Sequence, residues 1–371
     1  MNGTAVRERW CGEAFDSLHN AYKEAHGYSS LVVCLFGSVA NVLNIVVLTR
    51  REMSSPTNAI LTGLAVADLL VMLEYIPYCW REVLAVRPKR DKYSYGHALL
   101  VLLHAHFSQV FHTISIWLTI TLAVWRYIAV VYPQRNREWC GMQQTIIAIT
   151  SGYLICPILC IPLYLAFDIQ PRGTILDEFG NKPTVNTTKF TNTTLYYVDL
   201  SELGRANDNL LATINFWVYS IVIKIIPCIA LTILSLRLIS ALIDTKRRRE
   251  ALTSGSRKTP RIAEKERQTD RTTRMLLAVL LLFLITEFPQ GVLVLLSIYR
   301  GQEFFTDCYQ KLGEIMDILA LINSAINFMI YCAMSRQFRT TFSLLFRPRW
   351  LPVPQVENAQ NNHTTTMVTQ V

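Results

Sequence analysis

The chain has 371 residues, of which 51% are hydrophobic and only 17% charged, with a formal net charge of +9 and a mean hydropathy of +0.27. Soluble globular chains carry about 25% charged residues, and disordered chains are far less apolar. With 15 Gly and 14 Pro a collagen-like repeat is also excluded, which leaves an integral membrane protein.

In chain order, residues 1–28 are polar and read as an extracellular N-terminus with no cleavable signal peptide. Seven blocks then reach the roughly 20 apolar residues that a bilayer core of about 30 Å requires. They are Ser29–Arg50, Thr57–Trp80, Ala98–Val131, Gln143–Phe167, Leu210–Leu242, Arg274–Tyr299 and Leu312–Met334. The third, fifth and sixth are long enough to project beyond the bilayer. After them, Ser335–Phe346 alternates basic and aromatic residues (Arg336, Phe338, Arg339, Phe342, Phe346) and is too short to span. It reads as an amphipathic helix on the membrane surface, and 347–371 as a disordered cytoplasmic tail. The expected fold class is therefore an all-α membrane protein. A seven-transmembrane helix bundle over 29–334 is followed by a short surface helix over 335–346. No internal repeat argues for an inverted-repeat transporter.

Loop charge orients the bundle. Twelve Lys/Arg lie between Arg237 and Arg274, and Arg336, Arg339, Arg347 and Arg349 follow the last span. The positive-inside rule puts both segments in the cytoplasm and the N-terminus outside. The sequons at Asn2, Asn186 and Asn192 fall on the outer side, as glycosylation requires. The basic loop Arg81–Gly96 departs from the rule. A polybasic stretch beside a membrane meets anionic lipid or a cytosolic partner, and nucleic acid is not an expected partner.

Of nine cysteines, Cys11 and Cys308 alone lie clearly in the oxidising compartment. A bridge between them is expected, with Cys79 at the outer end of its span as the rival partner. Neither zinc-ligand spacing nor a nucleophile–base–oxyanion arrangement occurs, so neither a zinc site nor an enzyme is expected.

The spans carry motifs in order: Gly37-Ser-Val-Ala-Asn41, Leu64-Ala-Val-Ala-Asp68, Trp125-Arg126-Tyr127, Pro227, Phe283 with Thr286-Glu287-Phe288-Pro289, and Asn327-Phe-Met-Ile-Tyr331. Over residues 29 to 346 the chain resembles the rhodopsin-like (class A) G-protein-coupled receptors. It departs from them at Trp125 for the usual Asp, Glu287 for the usual Trp and Phe328 for the usual Pro. The cysteines of the family's usual disulfide are missing. Trp-Arg-Tyr, Thr-Glu-Phe-Pro-Gln-Gly and Ala-Ile-Asn-Phe together resemble the insect myosuppressin receptors, allied to the FMRFamide group. That resemblance implies an amidated neuropeptide ending in Arg-Phe-amide, a heterotrimeric G-protein, arrestin and receptor kinases as partners, and a multi-pass plasma-membrane location. It requires no cofactor. It assigns Trp125, Arg126, Tyr127 and Tyr331 to G-protein coupling. Glu287, Phe283, Pro289 and Asn327 become the switch. A sodium ion is implied at Asp68 with Ser115, Asn323, Ser324 and Asn327, a donor set suited to a hard cation.

An ionisable residue inside a span is a functional candidate by default. The resemblance places His112 opposite Glu287 at the pocket floor, with Lys224 within reach. Those three make either an internal ion pair, a ligand contact, or both in turn. A ligand Arg needs a carboxylate, for which Glu74 and Asp317 are the first candidates, ahead of Glu314. Tyr78, with Tyr75, Trp80, Trp217 and Tyr219, is placed to receive a ligand Phe, although interfacial aromatic belts give the same pattern. His104 and His106 read as satisfied or solvated. A light receptor is excluded because the seventh span lacks a Schiff-base Lys. A proton-coupled transporter using Glu74, His112, Lys224 and Glu287 is the non-receptor alternative.

Overall fold

The computed structural model describes residues 11–83, 88–178, 180–181, 189–253 and 260–346. Among them, seven helices are long and apolar enough to cross a membrane: Phe15–Leu48, Pro56–Arg81, Tyr95–Val131, Met142–Ala166, Glu202–Asp244, Leu277–Arg300 and Phe305–Met334, here spans one to seven. Seven spans of all-α architecture match the expected class. Water expulsion does not drive helices together inside lipid, so close packing and interhelical hydrogen bonds must hold the bundle. Gly152 shows how: a Cβ there would meet the Trp117 ring at 2.5 Å, so only glycine lets spans three and four approach this closely.

Several boundaries differ from the sequence expectation. The first helix begins at Glu13 rather than Ser29. Its outer turns carry helix formers (Leu18, Ala21, Lys23, Glu24, Ala25) and no proline. Tertiary contacts fix them against span seven. Cys11 bonds Cys308, Lys311 Nζ reaches Asp16 at 2.5 Å, and His19 Nδ1 donates to the Lys311 carbonyl at 3.0 Å. Cys79 remains a free, buried thiol, so the rival pairing is not formed. Span four breaks at Cys160, between Pro157 inside one helix and Pro162 in the first turn of the next, as proline's missing N–H dictates.

Span five, Glu202–Asp244, begins before the expected Leu210 but is broken ahead of it. The chain is non-helical over Ala206–Asn209, and Asn207, Asp208 and Asn209 take positive φ of 50°, 55° and 63°. Asn and Asp tolerate that left-handed region best, so the continuous helix runs from Leu210. Two π-helical segments then follow in the bundle, Val218–Ile225 within span five and Phe305–Tyr309 at the head of span seven.

Between spans four and five the chain forms an antiparallel hairpin, β1 (Phe167–Asp177) and β2 (Phe190–Leu200), in register from Phe167↔Leu200 to Asp177↔Phe190. Arg172 and Arg205 both reach Asp199, and Tyr196 N–H donates to the Tyr93 carbonyl at 2.9 Å. The hairpin departs from the all-helical expectation. Pro171 and Gly173 disguise β1, and its polar partner strand pairs only because the loop ends are held together.

The surface helix runs Arg336–Phe346. It buries Phe338 and exposes Arg336, Arg339, Leu344 and Phe346, the two-faced pattern of an interfacial helix. Phe328, which stands where the resembled receptors have Pro, packs edge-on against Phe338 and Phe342 at ring distances of 5.9 and 5.7 Å. Span seven and the surface helix are thereby welded by aromatic contact.

Candidate functional site

A cavity opens in the half of the bundle that carries the β-hairpin, walled by spans two, three, five, six and seven. Its lining includes His104, His112, Tyr219, Lys224, Gln290 and Asp317. At its floor Lys224 Nζ donates to Glu287 Oε2 at 2.8 Å and lies 3.0 Å from His112 Nε2, which is itself 3.3 Å from the Glu287 carboxylate. Glu287 and Lys224 are 1% and 2% exposed. Burying charges this deeply is tolerable only because they pair. The three residues expected to meet do meet, across spans three, five and six. Lys224 lies in the π-helical segment Val218–Ile225 and is buried against the other two, and segments of this kind are frequent at functional sites.

The two candidate acids differ. Glu74 Oε2 already lies 2.7 Å from His104 Nδ1. That imidazole is stacked on Tyr78 at 4.0 Å and met edge-on by Tyr75 at 4.8 Å. Asp317 is exposed to the cavity and has no hydrogen bond or ion pair among the described residues. Glu314 instead faces His19 at 4.0 Å. Nothing in the sequence marks His104 for this role, because a 30-residue separation from Glu74 carries no signal of contact. Nor does it mark the cluster behind the cavity, where Gln290 Nε2 donates to the hydroxyls of Tyr219 at 3.1 Å and Tyr309 at 3.5 Å.

Below this floor Asp68 is 1% exposed. Ser115 Oγ donates to its Oδ1 at 2.9 Å and Asn327 Nδ2 to its Oδ2 at 3.1 Å, and Ser324 is buried beside it. Asn41 Nδ2 donates to the Ser324 carbonyl at 2.9 Å, which brings span one into the cluster. Asn323 is buried nearby without a hydrogen bond to Asp68 among the described residues. Asn327 Oδ1 is buried with no hydrogen-bond partner among the described residues.

Toward the inner end, Phe283 and Tyr331 are each 2% exposed. Pro289 lies inside the helix Pro260–Arg300. Trp125 turns toward span four and donates its indole N–H to Thr145 Oγ1 at 2.8 Å. Arg126 and Tyr127 are half-buried at the end of span three, with the Tyr127 ring 6.5 Å from Tyr132. Asn192 is exposed on β2, whereas Asn2 and Asn186 lie outside the described residues.

Comparison with known proteins fits this geometry. Residues 28–349 match the family described as serpentine type 7TM GPCR chemoreceptor Srw. The chain belongs to this family of G-protein-coupled receptors. Among its relatives is the G-protein coupled receptor dmsr-1 of Caenorhabditis elegans, 31% identical over 96% of this chain and 76% of that receptor. The sex peptide receptor of Drosophila melanogaster is 28% identical over 87% of this chain and 73% of its own length. The FMRFamide receptor of the same fly is 25% identical over 86% and 53%. This serpentine chain is thus a multi-pass membrane receptor rather than an enzyme.

Proposed function

We propose that this receptor is of the rhodopsin-like class and binds an amidated neuropeptide ending in Arg-Phe-amide, myosuppressin-like in kind, at its outer cavity. Binding shifts the bundle toward a state that activates a cytosolic heterotrimeric G-protein. One observation carries the reading: Asp317 offers the cavity a carboxylate with no hydrogen bond or ion pair among the described residues, directly above a buried ion-pair floor that joins three spans. A ligand guanidinium supplies the missing charge, and a shift at the floor has a route to the inner ends of spans three and six. Two relatives are named for peptides, which supports the ligand class. Loop charge and the outer-side sequons support an extracellular N-terminus, a cytoplasmic C-terminus and glycosylation in the plasma membrane. Arrestin and receptor kinases belong to the same reading.

The Asp68 cluster fits a sodium ion: one carboxylate, two serine hydroxyls, and the orphaned Asn327 Oδ1 as a further acceptor. In this proposal Asp68, Ser115, Ser324 and Asn327 hold the ion, and its charge offsets that of the buried carboxylate. Asn323 contributes through packing alone.

The test is a neuropeptide panel applied to cells expressing the receptor, with calcium and cyclic-nucleotide readouts. Arg-Phe-amide peptides and sex-peptide sequences form its two main arms. A response confined to the Arg-Phe-amide arm supports the reading. A response only to sex-peptide sequences replaces the ligand, and silence to every peptide overturns the class.

A further inference from the structure

Gln290, Tyr219 and Tyr309 form a neutral polar cluster at one wall of the cavity that also holds Lys224 and Asp317. Gln290 is 9% exposed and lines the cavity beside Tyr219. Its Nε2 is spent on the two tyrosine hydroxyls, while its carbonyl oxygen accepts no hydrogen bond among the described residues. Each tyrosine comes from a π-helical segment, Tyr219 from Val218–Ile225 and Tyr309 from Phe305–Tyr309. Segments of this kind recur where a helix is distorted to present a functional side chain.

The charge around the cluster decides what it can take. Among the described residues, Lys224 is the only Lys or Arg in the lining, and Glu287 and His112 already hold its ammonium. The carboxylate that faces the cavity freely is Asp317. A ligand ending in a carboxylate would therefore arrive beside a like charge with no cation left to meet it. A terminal carboxamide is neutral. Its N–H groups can donate to the open Gln290 oxygen, and its carbonyl can accept from the Tyr219 hydroxyl.

We infer that Gln290 and Tyr219 read the C-terminal amide of the ligand and reject the free acid, with Tyr309 as the positioning residue that fixes the Gln290 side chain. This rests on the peptide reading above and specifies how that site chooses among peptide C-termini.

The experiment compares Phe-Met-Arg-Phe-amide with its free acid on the full-length receptor, by competition binding and signalling, with surface expression measured in parallel. In the wild type the amide should be at least about tenfold more potent, the scale of one unsatisfied buried polar group. Gln290→Met should lower amide potency by about tenfold and leave the acid within about threefold, so that the ratio collapses. Tyr219→Phe should shrink it in part. Tyr309→Phe should shrink it without changing acid potency, which a general loss of folding would not do. Gln290→Glu keeps size and polarity, and it should restore amide binding while further weakening the acid. Equal wild-type potencies, or a ratio unchanged in Gln290→Met and Tyr219→Phe at normal surface expression, overturn the assignment while the peptide reading stands. Silence of the wild type to both peptides and to the wider panel overturns both.

Discussion

His112 Nε2 lies 3.0 Å from the Lys224 ammonium and 3.3 Å from Glu287, and one ring nitrogen cannot serve both in the same tautomer. Donating to Glu287 requires an N–H there, whereas accepting from Lys224 requires a lone pair. The shorter contacts favour Lys224 bridging the carboxylate and a neutral imidazole, which leaves the floor without net charge. Glu287→Gln keeps the shape but strands the ammonium, at a cost of about 3–5 kcal/mol at most. Basal signalling should shift, and efficacy should change more than peptide binding, because the pair lies below the proposed ligand contact. Adding Lys224→Met should recover much of the lost surface expression, since removing both partners is cheaper than removing one. A Glu287→Gln receptor with wild-type basal activity, potency and maximum response would reduce the residue to passive lining. Asp317 gives a separate test. Replacing the peptide's penultimate Arg by a neutral residue should cost tenfold or more, about 1.4 kcal/mol. Asp317→Asn should be nearly blind to that change, while Glu74→Gln, whose carboxylate is already occupied by His104, should still discriminate. The reverse order would move the Arg partner to Glu74. These acids were legible in the sequence because a charge in a span demands a partner. Which of them was already paired was not legible, because that depends on a histidine from another span.

At the level of elements, the apolar runs revealed the seven spans, since length and composition alone set what can cross a bilayer. The outer extension of span one was hidden by its polarity, because contacts with span seven hold it rather than its own pattern. Three links make that clamp: the Cys11–Cys308 bond, the Asp16–Lys311 pair and the His19 bond to the Lys311 carbonyl. Cys11→Ser and Cys308→Ser should impair surface expression or peptide potency to the same extent, and the double mutant should be no worse than either. Additive losses would show that the two thiols act separately. The π-helical segments were equally invisible, since one extra residue per turn leaves no mark on an apolar run. They nonetheless hold Lys224 and Tyr219, which line the cavity. Gln290 appeared in the sequence only as part of a motif, and its partners come from two distorted elements that no periodicity announces.

Across the whole molecule, the outer cavity and the inner ends of the spans communicate only if the bundle has two arrangements that the ligand binds unequally. The Asp68 cluster is the natural place to sense that difference, because it joins spans one, two, three and seven through Asn41, Asp68, Ser115 and Asn327. A cation held there favours whichever arrangement keeps those oxygens converged. A peptide that favours the other arrangement must then compete with it, and linkage makes the effect reciprocal. Replacing external sodium with N-methyl-D-glucamine at constant ionic strength should therefore raise peptide affinity severalfold, within the roughly 5–150-fold range of such couplings. In Asp68→Asn the same exchange should do nothing, because the carboxylate that makes the site attractive to a hard cation is gone. Asn327→Ala should blunt the effect in part, through loss of the orphaned oxygen, whereas Asn323→Ala should leave it intact because Asn323 makes no bond to the carboxylate. A wild-type receptor indifferent to sodium, or an Asp68→Asn receptor that remains sensitive, would leave the cluster as a purely structural knot between the spans.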